Sequence, residues 1–332
     1  MKPKKSIRKW LIPEAPRPGQ WKRWILARLA VFFVTFSVLF LGGGLIFKNR
    51  LIFHPTAEAI DFPANYGLKV DEFWLELDSG LKIRAWLAPA VSKAAQKKQG
   101  PPMSNDNGPT TLGDWQSSDP PAPGKIALVL QGNSGNISMM TSRLVILQSL
   151  GLTVLTVDYP GYGPNQGRPS EAGVYQSAEA AWQWAAQQGY RPEDILIYGY
   201  SLGGGVASYL ADRHPPAAVV LDSTFTRLRD VPAYWLPWLS PYFYFILGDA
   251  FDTETRLSRI KCPLLILHSP DDAIVPYALG EKLLRTYQNN YKDLATGSGG
   301  HTDFYLNSHL YRDKIRDLLA AAWPEGTNPE TF

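Results

Sequence analysis

Residues 195–206, ILIYGYSLGGGV, constrain this chain more than any other stretch. Ile195-Leu196-Ile197-Tyr198 is a short apolar run, long enough for a buried parallel strand and too short for a helix. Gly199-Tyr200-Ser201-Leu202-Gly203 follows, and Gly204 to Leu210 reads as a helix. Strand, tight turn and helix, with a serine at the apex, is the arrangement that lifts a hydroxyl clear of a sheet. The flanking glycines permit close approach of neighbouring backbone. The helix N-terminus aims N–H groups and a positive dipole end at the place where an oxyanion forms. The five-residue pattern alone is weak, since a Gly-rich turn that merely packs satisfies it too. The strand before it and the helix after it favour the chemical reading.

Around this stretch the chain alternates. Glu72–Asp78 and Leu81–Ala88, split by Asp78-Ser79-Gly80, read as a hairpin. Strands are expected at Ile126–Leu130, Leu152–Val157, Ala217–Leu221, Leu264–His268 and, weakly, Tyr291–Thr296. Helices are expected at Ile137–Leu150, Glu171–Gln188, Pro276–Tyr287 and Asp303–Trp323. The β, α, β, α order predicts an α/β fold: a doubly wound, mostly parallel sheet with an antiparallel start. Ser92 to Gly124 is rich in Pro, Ser, Asn, Asp and Gly and reads as a disordered loop insertion. Residues 224–260 sit where a cap belongs, and Val231–Phe251 is apolar and broken by Pro232, Pro237 and Pro241. Its Trp235, Trp238, Tyr242, Phe243, Tyr244 and Phe245 suit three roles: walling an acyl pocket, touching a bilayer, or packing the cap on its own core.

Leu29 to Phe47 is a 19-residue run without a charge, about one membrane thickness of helix. Trp21 and Trp24 stand at its start, as interfacial aromatics do. A cleaved signal peptide has a shorter apolar core ending in a small-x-small site, and Gly42–Gly44 leaves room for one. The long core, the long basic stretch before it and Lys48-Asn49-Arg50 directly after it favour an uncleaved anchor over residues 24–47. Of the net charge of +3, +7 lies in residues 1–23 and −4 in the rest. This places the N-terminus in the cytoplasm and the body on the other face. It also argues against nucleic-acid binding. Residues 48–70 are then a connector, 71–325 the folded domain and 326–332 a tail. Cys262 is the only cysteine, so an internal disulfide and a zinc cluster are excluded, and it reads as a packed core thiol. No G-x-x-x-x-G-K-[ST] occurs, no histidine pair has zinc spacing, and no cofactor or metal is expected. Asn136-Ile137-Ser138 fits a glycosylation sequon, which we read as chance.

A serine hydroxyl needs a base to take its proton, and the base needs a partner that fixes its tautomer. Of the five histidines, only His301, in the flexible Gly297-Ser298-Gly299-Gly300-His301-Thr302-Asp303, lies in a loop after the last strand. His54 adjoins the anchor, His214 ends a helix, His268 ends a strand and His309 lies on the last helix. The acid is expected after the preceding strand, in Ser269-Pro270-Asp271-Asp272. Ser201, Asp272, His301 is the chain order of α/β-hydrolase triads.

From about Leu51 to Trp323 the chain resembles the α/β-hydrolase superfamily, and within it the membrane-anchored BEM46-like group of α/β-hydrolase-domain proteins. The resembling residues are Leu51-Ile52-Phe53-His54-Pro55, Gln131-Gly132-Asn133-Ser134-Gly135-Asn136, Asp158-Tyr159-Pro160-Gly161-Tyr162-Gly163, Gly199-Tyr200-Ser201-Leu202-Gly203-Gly204, Cys262-Pro263-Leu264, Asp272 through Pro276, and Gly300-His301. The resemblance implies a serine hydrolase acting on an ester, thioester or lipid. It selects Asp272 over Asp271, four residues after His268, and implies backbone N–H groups of Asn133 and Leu202 as oxyanion donors. Gln131 stands where the family usually has histidine. A peptidase or acyltransferase on the same triad, or a ligand-binding module that kept the fold, are the competing readings.

Overall fold

The computed structural model describes Arg17 and residues 19–90, 124–303 and 308–324. The expected insertion, apart from Gly124, the C-terminal tail and most of the basic N-terminal tail lie outside the described residues. The chain divides into two units, residues 1–48 and 49–332. Helix α1 runs Trp21–Ile52 without a break, past Phe47, and is long and apolar enough to cross a membrane. Most of its large apolar side chains are exposed, from Ile25 to Leu51.

The second unit is built on an eight-stranded sheet. Its strands are β2 (Asp71–Glu76), β3 (Lys82–Ala88), β4 (Ile126–Leu130), β6 (Thr153–Val157), β7 (Ile195–Tyr200), β8 (Ala218–Asp222), β9 (Leu264–Leu267) and β10 (Lys292–Ala295), in the spatial order β10-β9-β8-β7-β4-β6-β3-β2. β2 and β3 pair antiparallel and β3 meets β6 antiparallel, while all other neighbours are parallel. The order reverses beside β4, so the loops after β4 and β7 diverge at the carboxyl edge, the position where ligands enter such sheets. A second, two-stranded parallel sheet joins β1 (His54–Pro55) to β5 (Ser134–Gly135).

The central strands are buried on both faces, which is why they read as continuous apolar runs rather than alternating ones. Alternate residues feed two separate cores. Ile195 and Ile197 of β7 join the core under α3 (Glu171–Gln187), α4 (Leu202–Arg213) and α8 (Tyr277–Thr286). Leu196, Tyr198 and Tyr200 join the opposite core with α2 (Thr141–Ser149) and α9 (Ser308–Ala322). Ser170 caps α3 through its hydroxyl, which accepts the Gly173 N–H at 3.1 Å. Between β8 and β9 lie three short helices, α5 (Asp230–Trp235), α6 (Ser240–Leu247) and α7 (Thr253–Leu257). Prolines stand at the starts of the helical turns here, where a missing N–H costs nothing.

Candidate active site

The site is assembled at the carboxyl ends of β4, β7 and β9 and in the turn after β10. Ser201 lies directly between β7 and α4 with φ 52° and ψ −117°, outside the regions an L-residue prefers. The surroundings hold that strain. The Ser201 N–H donates to the Asp222 carbonyl at 2.8 Å. Its carbonyl accepts the Gly204 N–H at 2.9 Å and the Thr224 hydroxyl at 2.7 Å. Two glycines are required by close approach. A Cβ on Gly203 would stand 2.1 Å from the Leu130 carbonyl oxygen, and one on Gly199 would stand 2.2 Å from that of Gly203. α4 therefore begins at Leu202, two residues earlier than its glycines suggest.

Ser201, His301 and Asp272 come together in sequence. Ser201 Oγ lies 2.9 Å from His301 Nε2, and His301 Nδ1 lies 2.7 Å from Asp272 Oδ2. Asp272 offers only acceptors, so Nδ1 carries the hydrogen and Nε2 is left to accept the Ser201 hydroxyl proton. Asp272 is 4% exposed. Its Oδ1 accepts the N–H groups of Ile274 at 2.9 Å and Val275 at 2.8 Å. Burial alone would raise its carboxyl pKa. The His268 ring beside it, the hydrogen bonds from His301 and Val275 and the His301 charge outweigh burial and hold it well below the usual carboxylate range. Asp271 is exposed, and its backbone N–H donates to Ser269 Oγ at 3.1 Å.

Asn133 and Leu202 flank the serine. A Cβ on Gly132 would meet the Tyr200 ring at 3.3 Å and Ser201 Cβ at 3.5 Å, so the loop after β4 passes directly over Ser201. Leu202 opens α4, and an N–H in the first turn has no intrahelical acceptor. Gln131 is fully buried and its side-chain amide donates to Asp158 Oδ1 at 3.2 Å, which also accepts the Ile137 N–H at 2.9 Å. Asp158 in turn pairs with Arg84 at 2.6 Å. Gln131 thus braces the loop from below. Asn136 is buried and accepts the Ser138 N–H, so the sequon is a turn cap.

Two contributors escaped sequence reasoning. His268 is fully buried, and its Nε2–H donates to the Val275 carbonyl at 2.9 Å while standing 3.4 Å from Asp272 Oδ2. It ties the acid-bearing turn shut, and the only signal was its position at a strand end. Tyr200, the first variable residue of the motif, donates its hydroxyl to the His301 carbonyl at 3.1 Å. His214 instead pairs with Glu179 at 2.7 Å, on the far end of α4. Asp222, at the end of β8, accepts from Arg143 at 2.8 Å and belongs to a separate network. In the cap, Leu239 and Ile246 are buried, but Trp235, Trp238, Tyr244 and Phe245 are exposed. The Trp235 indole N–H reaches the Ile274 carbonyl at 3.5 Å, beside the acid turn.

A family model described as the alpha/beta hydrolase fold matches residues 128–250. An uncharacterized protein of Mycobacterium tuberculosis strain H37Rv is 32% identical over 274 residues, 82% of this chain and 87% of that protein. The lysophosphatidylserine lipase ABHD12 of Danio rerio is 30% identical over 294 residues, 80% of this chain and 73% of the lipase. Among solved structures, the Pyrococcus furiosus esterase Pf2001 superposes with a TM-score of 0.59 at 15% identity, covering 81% of this chain and 97% of the esterase.

Proposed function

The chain belongs to the α/β-hydrolase family and is an ester-cleaving serine hydrolase, and we propose that it cleaves lipid-derived carboxylic esters at a membrane through Ser201, His301 and Asp272. The observation that carries this reading is the two-step contact from Ser201 Oγ to His301 Nε2 at 2.9 Å and from His301 Nδ1 to Asp272 at 2.7 Å. Ser201 Oγ attacks the ester carbonyl carbon as its proton passes to His301 Nε2. The carbonyl oxygen becomes an oxyanion, held by the N–H groups of Asn133 and Leu202. Collapse of the tetrahedral intermediate breaks the bond to the alcohol, which leaves with the proton from His301. Water then attacks the acyl-serine with His301 as base, releasing the acid and restoring the hydroxyl. Asp272 keeps Nδ1 protonated and stabilises the imidazolium formed at each step.

The lipid assignment draws on the lysophosphatidylserine lipase among the relatives and on the exposed aromatics of the cap. α1 is the proposed anchor, with the basic residues before it on the cytoplasmic side and the hydrolase unit on the other. The test is labelling of the full chain by a fluorophosphonate probe, followed by hydrolysis of p-nitrophenyl esters of rising chain length and of lysophospholipids in vesicles. Labelling that vanishes in Ser201→Ala, with a kcat loss of about 10³–10⁶-fold, is expected. Undiminished hydrolysis by Ser201→Ala refutes the nucleophile.

A further inference from the structure

The segment that leaves α1 is bonded to the loop that crosses the nucleophile. The His54 N–H donates to the Asn133 carbonyl at 2.8 Å, and the Asn133 side-chain amide donates back to the Ile52 carbonyl at 2.7 Å. The Tyr162 hydroxyl donates to the same Asn133 carbonyl at 2.6 Å. One register further, His54 pairs with Ser134 and Pro55 with Gly135, and the Thr56 N–H donates to the Gly135 carbonyl at 2.9 Å. Asn136 closes the far end, donating to the Glu58 carbonyl at 2.6 Å. Ile52 and Phe53 are buried in the same core as β4 and α4, and the Phe53 ring lies 6.3 Å from that of Phe251.

Asn133 is therefore held at both its side chain and its carbonyl. Fixing those two groups fixes its Cα and leaves the preceding peptide only the φ rotation of Asn133. Gly132, at the other end of that peptide, faces the Tyr200 ring and Ser201. Among the described residues, the hydrogen bonds of Asn133 use its carbonyl and side-chain amide, and none uses its backbone N–H. We infer that Ile52–Thr56 is part of the catalytic apparatus: with Tyr162 it positions the Asn133 N–H toward the oxyanion, so the junction after the apolar helix sets the transition-state geometry. Ile52, His54 and Tyr162 are positioning residues in this account. The inference rests on the proposed role of Asn133 as an oxyanion donor. An alternative function for the same contacts is simple attachment, which would stabilise the fold without touching the chemistry.

The experiment uses the full chain in detergent micelles with a soluble short-chain ester. Asn133→Asp keeps the backbone N–H and the side-chain size, but turns the amide that donates to Ile52 into an acceptor facing a carbonyl. Tyr162→Phe removes one hydroxyl and is the milder variant, retained in case the first fails to fold. Loss of a single oxyanion donor costs about 10²–10³-fold in kcat. A donor displaced rather than removed is expected to cost about 10–100-fold in Asn133→Asp and about 3–10-fold in Tyr162→Phe, with KM changed less than about threefold. The inhibition constant of a trifluoromethyl ketone, whose serine adduct carries the oxyanion, should rise by the same factor as kcat/KM falls. A folded variant with kcat within about twofold of wild type overturns the inference. So does a fall in kcat with the ketone constant unmoved, which marks a purely structural role. Failure of the wild type to label at Ser201 would instead sink the proposed function, so the two failures are distinguishable.

Discussion

Asp271 and Asp272 are adjacent, and their surroundings differ sharply enough to give opposite expectations for the same substitution. In the wild type, Asp272 accepts from three N–H donors, Ile274 and Val275 at Oδ1 and His301 at Oδ2, and the His268 ring stands 3.4 Å from Oδ2. Asparagine supplies one oxygen and one NH₂ group. If the oxygen faces His301, the NH₂ group meets two backbone N–H groups now 2.8 and 2.9 Å from Oδ1. Each buried donor left unpaired costs about 1–3 kcal/mol. If the oxygen keeps the backbone donors, the NH₂ group faces His301 Nδ1 and crowds only the more distant His268. The second orientation is the less costly, and it forces His301 into the tautomer with hydrogen on Nε2. That nitrogen then cannot accept the Ser201 proton. In the serine-protease triad the equivalent tautomer error lowers kcat about 10⁴-fold, equal to about 5.4 kcal/mol.

Asp272→Asn is therefore expected to lose about 10³–10⁴-fold in kcat on p-nitrophenyl butyrate while remaining folded by circular dichroism. Asp271→Asn, whose side chain faces solvent, should lose less than about threefold. The stability difference carries its own pH signature. A carboxyl held below its ordinary value in the folded state adds stability above the unfolded value and loses it as pH falls through the folded one. The gap in unfolding free energy between wild type and Asp272→Asn should be full at pH 7 and shrink below about pH 4. A mild defect in Asp272→Asn beside a severe one in Asp271→Asn would refute the reasoning, as would a gap that widens on acidification.

Four further expectations follow from individual contacts. His268→Phe removes the donor to the Val275 carbonyl beside Asp272; kcat should fall about 10-fold and unfolding in urea should show a loss of about 1–3 kcal/mol. Gly203→Ala drives a methyl group into the Leu130 carbonyl, and the thermal midpoint should report a destabilisation of more than about 4 kcal/mol. Burial pushes the Cys262 thiol up to about 12, so maleimide at pH 7 should leave it unmodified in the folded chain and label it fully in denaturant. Trp238→Ser and Phe245→Ser, both 69% exposed in the cap, should leave stability within about 0.5 kcal/mol and soluble-ester turnover unchanged, while cleavage of a vesicle-borne ester falls by at least about fivefold.

Most of the sheet was legible because its strands are buried on both faces and stand out as isolated apolar runs between turn residues. The elbow was legible for a similar reason: a strand, three glycines and a helix leave few ways to place Ser201. The start of α4 was less so, because Gly203, Gly204 and Gly205 depress helix propensity while the packing against Leu130, Thr224 and Phe251 demands them. His301 was chosen by elimination and position. The choice of Asp272 over its neighbour came from family resemblance, since two adjacent aspartates in a turn carry no periodicity. The contacts of His54 with the loop after β4 were invisible. They join residues some 80 apart through two-residue strands, too short to show any pattern.

Two buried carboxylates lie at the ends of neighbouring strands, Asp222 at β8 and, four residues beyond His268, Asp272 after β9, and their partners suit only Asp272 to the proposed role. Asp222 accepts from Arg143, with both side chains buried, and from the hydroxyls of Tyr198 and Tyr311. Burial alone would lower the Arg143 guanidinium pKa, but Asp222 beside it more than reverses this and raises it. A carboxylate paired with a permanent cation has little field left for an imidazole, because a second positive charge forming nearby is repelled by the first. Around Asp272, apart from the two imidazoles, the donors are neutral backbone amides. Its negative charge is therefore available to the imidazolium that the proposed mechanism forms on His301. The Asp222 network still reaches the site, but through geometry. The Arg143 guanidinium lies 3.9 Å from the centre of the Tyr200 ring, and the Tyr200 hydroxyl holds the His301 carbonyl. Asp272 thus faces the His301 ring directly, while Asp222 bears on His301 through Arg143 and Tyr200.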